Sequence, residues 1–167
     1  VDRVAYSMRS NPVLSGIGEP AHISSFLVSP EFFATLGVSP SRGRLLVSDD
    51  HVKGAEMVAV ASWSFWKTQL GGADSAIGRI VVLNGRPVRI IGVGPRDLEY
   101  PLNPYAFNKS TALWLPIQGP MMPMSYGNPM AGPYELQARL KPGVTLEQAR
   151  ARFQQLADNV MAAAPPQ

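Results

Sequence analysis

Glycine and proline occupy 31 of the 167 positions, nearly one in five, and they are spread along the whole chain. Proline removes a backbone donor and fixes its own φ, and glycine weakens helix and strand interiors, so punctuation at this density leaves room mainly for short regular elements. The share stays below the roughly 25–30% that marks low-complexity sequence. Hydrophobic residues at 46% against charged residues at 16% exclude a highly charged disordered tail. A turn-rich globular fold with strands is expected.

Residues 110–134 show the constraint most sharply. They carry no charge and are long enough to cross a bilayer, but Pro116, Pro120, Pro123, Pro129 and Pro133 would break any helix there. No transmembrane segment is read from the sequence, and the first residues have neither the basic start nor the apolar run of a signal peptide. The length suits one domain with a real core, or two small lobes sharing one.

Between the punctuation, Val4–Arg9 and Ile23–Val28 alternate as strands. Ser29, Pro30 and Glu31 form a helix-start pattern that predicts a helix over 30–36, closed by Gly37. Met57–Ala61 is a short apolar run suited to a buried strand. Ser62 then caps a helix in which Trp63, Trp66 and Leu70 share a face. Arg79–Leu83 and Arg86–Val93 flank Asn84-Gly85, residues that tolerate the positive φ angles of a two-residue hairpin turn. Leu113–Pro116 and Tyr134–Leu140 are further strands. Thr145 with Gln148 makes a capping box for a final helix whose Leu146, Ala149, Phe153, Leu156 and Val160 fall on one face. Irregular mixing of these elements predicts an α+β fold: mixed, largely antiparallel sheets, a few short helices and one longer C-terminal helix.

The net charge of +3 comes from scattered basic pairs, among them Arg42/Arg44 and Arg86/Arg89, so no nucleic-acid partner and no polybasic membrane patch is expected. The absence of cysteine removes disulfides, thiol nucleophiles and cysteine-based zinc sites. His22 and His51 have no ligand at helical spacing. Asp49, Asp50 and His51 are adjacent and point different ways on a helix or strand, so they read as a solvated loop. Asp97 and Glu99 could share one side of an extended segment, as paired carboxylates must for acid–base work, but a solvated turn explains them too. No serine-hydrolase elbow, dinucleotide fingerprint or Walker A sequence is present. An enzyme is not expected, and no cofactor is implied.

Met121, Met122, Met124, Tyr126 and Met130 stand among prolines and glycines in what reads as a long loop. Three uses compete: burial over the core, an adaptable apolar contact surface, and soft ligation of copper(I). These five residues are the partner-contact candidates.

Several ordered stretches resemble a known family. Val28-Ser29-Pro30-Glu31-Phe32-Phe33, Leu36-Gly37-Val38 with Pro40, and Gly43-Arg44 are followed by Ile77-Gly78-Arg79 and Leu83-Asn84-Gly85-Arg86-Pro87. Ile91-Gly92-Val93, Leu113-Trp114-Leu115-Pro116 and the run Ala138–Ala149 complete the series. Each piece is a plausible cap, turn or helix start, and the ordered series resembles the MacB-like periplasmic core domain of FtsX-like ABC-transporter permeases. Gly94 departs from the pattern, where a larger residue is expected before Pro95.

The resemblance implies a periplasmic or extracytoplasmic domain held at the cell membrane by transmembrane helices outside this chain. It would be a non-catalytic relay that couples cytoplasmic ATP hydrolysis to extracytoplasmic movement in efflux or in lipoprotein or peptide export. Its implied partners are the parent permease helices, an ABC ATPase, a second copy in a homodimer, and a periplasmic adaptor. The implied division is an inserted lobe over 23–130 and a porter-like strand and helix over 134–163, both parts of a core domain spanning 1–167. The chain starts well inside the family pattern, so an unpaired sheet edge is expected, with an extended or swapped contact upon it. The alternative reading is a periplasmic ligand-binding module for a lipid or apolar drug, with residues 110–134 shaping its groove.

Overall fold

The structure is a computed structural model that describes residues 1–98, 100, 110–117 and 134–163, without the side chains of 160–163. In chain order the elements begin with β1 (Arg3–Ser10), β2 (Val13–Ser15), β3 (Ala21–His22), β4 (Ser25–Val28), α1 (Phe32–Leu36) and β5 (Arg42–Gly43). A 3₁₀ turn at Ser48–His51, β6 (Val58–Ala61), α2 (Trp63–Gln69) and a second 3₁₀ turn at Asp74–Ala76 come next. The chain then forms β7 (Ile80–Leu83), β8 (Arg86–Val93), β9 (Leu113–Pro116), β10 (Tyr134–Arg139) and α3 (Leu146–Ala163).

All ten strands join one sheet in the order β10-β1-β4-β9-β6-β8-β7-β2-β3, with β5 also beside β8. The β4·β9 and β6·β8 pairs are parallel and the others antiparallel, so the expected mixed, mostly antiparallel α+β architecture is what forms. The central strands β4, β6 and β9 are buried at every position. Strands covered on both faces need near-continuous apolar sequence, which these have. Their alternate residues feed two cores. Leu27, Ala59, Ala61, Leu113 and Leu115 join Trp66 and Leu83 on one face, while Phe26, Val28, Val60 and Trp114 join Phe32 and Phe33 on the other.

The Asn84-Gly85 turn forms as expected. Asn84 has φ +49°, Gly85 has φ +77°, and Leu83 faces Arg86 across the turn. The Ser62 hydroxyl accepts from Phe65 N–H at 3.1 Å, and Thr145 and Gln148 exchange side-chain bonds with each other's backbone N–H at 3.2 and 3.1 Å. Two glycines of the family pattern owe their place to a close approach. Gly43 and Gly92 pair where β5 crosses β8, and a Cβ on Gly92 would run into the Arg44 backbone. Gly94 makes room for Trp114, whose ring edge would lie 2.9 Å from an added Cβ.

Three local expectations change. The stretch between β1 and β4 is more than punctuation, because β2 and β3 pair within it and β2 extends the sheet from β7. Ser29 does not cap α1: its hydroxyl accepts from Tyr6 N–H at 3.1 Å, tying the loop to β1, and α1 begins at Phe32 without a side-chain cap. In α3, Ala149 is buried, but Leu146, Phe153 and Leu156 of the expected inward face are 59, 38 and 53% exposed. Periodicity reports that a face is apolar, not that something covers it. Among the described residues the sheet ends at β10, which pairs only with β1, and at β3, which pairs only with β2.

Candidate functional site

The contact candidates Met121, Met122, Met124, Tyr126 and Met130, and Glu99 of the carboxylate pair, lie outside the described residues. His22 is exposed on β3, its Nδ1 at 3.1 Å from the Asn11 carbonyl oxygen. Asp97 is exposed in a turn. Among the described residues, no three histidine or acidic side chains converge to hold a metal ion.

Asp50 and His51 separate as the sequence suggests, but His51 is not solvated. Its imidazole is 3% exposed, and neither ring nitrogen has a hydrogen-bond partner. Asp50 turns to Arg44, accepting two guanidinium bonds at 2.6 and 2.8 Å, and takes a third from Val47 N–H at 2.9 Å. Burial works to raise the Asp50 carboxyl, but Arg44 and the Val47 N–H outweigh it and hold the group below the usual carboxylate range. Burial pushes His51 below the usual imidazole range, against a weaker opposing pull from Asp50 and Glu31.

A polar knot on the inner side of β1 and β10 went unread in the sequence. The Tyr100 hydroxyl, carried by the crossover from β8 to β9, meets the fully buried Ser7 hydroxyl of β1. It donates to Glu135 at 3.2 Å and accepts from the Gln137 amide at 2.8 Å, both on β10. Burial raises the phenol well above its ordinary range, so it stays a neutral donor. The Tyr100 ring packs edge-on against Phe26 at 4.7 Å and Phe32 at 5.1 Å. Arg139 of β10 adds a bond to the Thr35 carbonyl at 2.9 Å. The strand pair β1–β10 is thus bound to α1 and to the crossover by side chains as well as through the sheet. The only local sequence signal was the alternation Glu135, Gln137, Arg139, which puts polar groups on one strand face. Nothing in it points to a tyrosine 35 residues away.

Two grooves open on the surface at the other end of the sheet. One, of about 440 Å³, runs between the inner face of the β2–β3 hairpin and α2, with Leu14 and Ile17 on one wall and Ser64, Thr68 and Gln69 on the other. Its described lining includes Glu19 but no lysine or arginine. The second, of about 410 Å³, lies on the β7–β8 hairpin beside Met57 and is flanked by Arg86 and Arg89.

Residues 1–156 match the family model of the MacB-like periplasmic core domain. The fold resembles the crystal structure of the periplasmic region of MacB from Actinobacillus actinomycetemcomitans, with a TM-score of 0.69 at 19% identity, covering 96% of this chain and 67% of that one. It also resembles the extracellular domain of the noncanonic ABC-type transporter YknZ from Gram-positive bacteria, with a TM-score of 0.64 at 18% identity, covering 95% of this chain and 76% of that one. At such identities the likeness is one of fold. No curated protein matches the chain. Among the described residues no helix is long and apolar enough to cross a membrane.

Proposed function

The chain belongs to the MacB-like periplasmic core domain family of ABC-transporter permeases, and from that premise we propose that it is a non-catalytic relay. In this reading it sits on the outer side of the cell membrane, held by permease helices outside this chain. It passes ATP-driven motion from the membrane to partners in efflux or export. A homodimeric permease, its ABC ATPase and a periplasmic adaptor are the proposed associates.

The observation that supports the relay is the Tyr100 knot within a single sheet. β1 and β10 stand at one end of that sheet, and the two grooved hairpins stand at the other. Backbone ladders connect the ends, and the knot locks the β1–β10 pair to the crossover that feeds the sheet centre. Displacement of one end is therefore carried to the other rather than absorbed at a hinge, because a closely packed core has low compressibility. The division into a porter-like strand and helix over 134–163 and an inserted lobe over 23–130 is part of this proposal, as is a partner contact through Met121, Met122, Met124, Tyr126 and Met130.

The test uses the intact transporter. Tyr100→Phe should leave ATP hydrolysis running while transport per hydrolysed ATP falls, at equal surface amounts of folded protein. A transport rate that follows only the amount of folded protein would refute the relay.

A further inference from the structure

The hairpin of β7 and β8 carries Arg79, Arg86 and Arg89, and no acidic residue lies between 79 and 93. Its inward row, Val81, Leu83, Val88 and Ile90, is fully buried. The outward row is different: Ile80 is 52% exposed, Pro87 is exposed and Val82 is half-buried. Large aliphatic groups left open on a sheet face, beside a guanidinium without an ion pair, are more than scattered surface hydrophobics. Met57, from the segment ahead of β6, walls this row into the groove of about 410 Å³.

The two arginines at the groove are not equivalent. Arg89 donates from Nε to Glu56 at 2.7 Å and from Nη1 to the Gly78 carbonyl at 3.2 Å. Arg86 is exposed and has no ion pair among the described residues. Glu56 thus shows, within the chain itself, how a carboxylate sits at this groove, and it satisfies one guanidinium of the two. The other groove, beside α2, has no lysine or arginine in its described lining, so a permanent positive charge is specific to this one of the two.

We propose that this groove docks an acidic, aliphatic polypeptide segment of a partner protein. A carboxylate of the segment pairs with Arg86, whose planar fork suits two parallel bonds to a carboxylate. Aliphatic side chains of the segment cover Ile80, Pro87 and Met57. The groove is open to solvent, whereas sites for small molecules enclose most of their ligand, so a polypeptide segment fits it better than a small anion does. Exposed arginine next to apolar surface is also the composition that concentrates binding energy at protein interfaces. The inference rests on the partner-contact half of the proposed function and not on the relay. Its test reads binding by the 167-residue chain, while the relay is read as coupling in the transporter, so either can fail alone.

The probe is a blocked hexapeptide alternating glutamate and valine, titrated against the chain labelled at its isoleucine and valine methyls. Saturable shifts are expected at Ile80 and Val82, weakening as salt is raised. Arg86→Glu should weaken binding by about tenfold or more, because it turns an attraction into a repulsion at the same point. Glu56→Gln should tighten it roughly two- to fivefold by releasing Arg89 from its internal competitor. Both positions are exposed, and an otherwise unchanged methyl spectrum verifies that each variant folds. The proposal is overturned if the peptide gives no saturable shift at Ile80, if its lysine–valine counterpart binds equally well, or if Arg86→Glu has no effect. It is equally overturned if inorganic phosphate alone reproduces the shifts.

Discussion

Replacing Tyr100 by phenylalanine removes one oxygen and keeps the ring, so the edge-on contacts with Phe26 and Phe32 survive while three hydrogen-bond partners lose their common centre. Ser7 suffers most, because its hydroxyl is fully buried and cannot turn to water. Stranding a buried hydroxyl costs about 1–3 kcal/mol, and the bonds to Gln137 and Glu135 add roughly 0.5–1.5 kcal/mol each where water does not replace them. Glu135 and Gln137 are only half-buried, so water replaces part of their two bonds, and the expected loss is about 2–4 kcal/mol of a summed range of roughly 2–6. For a chain of this size that corresponds to a fall in Tm of roughly 5–15 °C. Urea and thermal unfolding of Tyr100→Phe measure it. A double-mutant cycle with Gln137→Ala should return a coupling of about 1 kcal/mol, as contacting polar groups in one network do. A loss under about 0.5 kcal/mol with no coupling would show that the hydroxyl is solvated, and the reasoning for a locked β1–β10 pair would fail with it.

Other outcomes can be checked in the same way. Because His51 has a folded-state pKa below its unfolded value, the unfolded chain takes up the proton first. Stability should therefore be complete above about pH 6.5 and decline as pH falls through the lower folded value. His51→Leu should flatten that decline in a series of denaturant titrations, and an unchanged slope would count against the buried, unpartnered imidazole. Gly92→Ala should cost about 2–3 kcal/mol, since relieving the contact with the Arg44 backbone sacrifices ladder bonds such as that from Arg44 N–H to the Ile91 carbonyl. Gly54→Ala, with open space around its Cβ, should cost only about 1 kcal/mol for its positive φ. If Met121, Met122 and Met124 form a contact surface, their joint replacement by serine should weaken partner capture and leave Tm nearly unchanged. A large fall in Tm would assign them to the core instead.

Much of the fold was legible because its signals are local. The hairpin at Asn84-Gly85 needs only two residues that accept positive φ, and the caps at Ser62 and Thr145 need only a side-chain oxygen within reach of the next turn. The buried strand at Val58–Ala61 shows itself by composition alone. The family pattern was readable for the same reason: its glycines and turns repeat in order, whatever their tertiary cause. Ser29 was misread because a serine ahead of a helix has the same sequence signature whether its oxygen bonds to that helix or, as here, to β1.

The candidate site was legible only in fragments. Arg86 and Arg89 could be named as a pair, but their distinction depends on Glu56, which lies 33 residues from Arg89. His51 was expected in water, and its burial follows from the packing of a 3₁₀ turn that no local rule places against a core.

By itself the sequence determined the short elements among the described residues, the turns between them and the family. Those properties depend on backbone preferences and on residues within a few positions of one another. The tertiary structure alone decided which strands are neighbours, why Gly43 must face Gly92, which hydroxyl Tyr100 meets and which apolar rows stay uncovered. Each of those is a contact between residues far apart in the chain, and no period or propensity encodes the distance between them until the sheet has assembled.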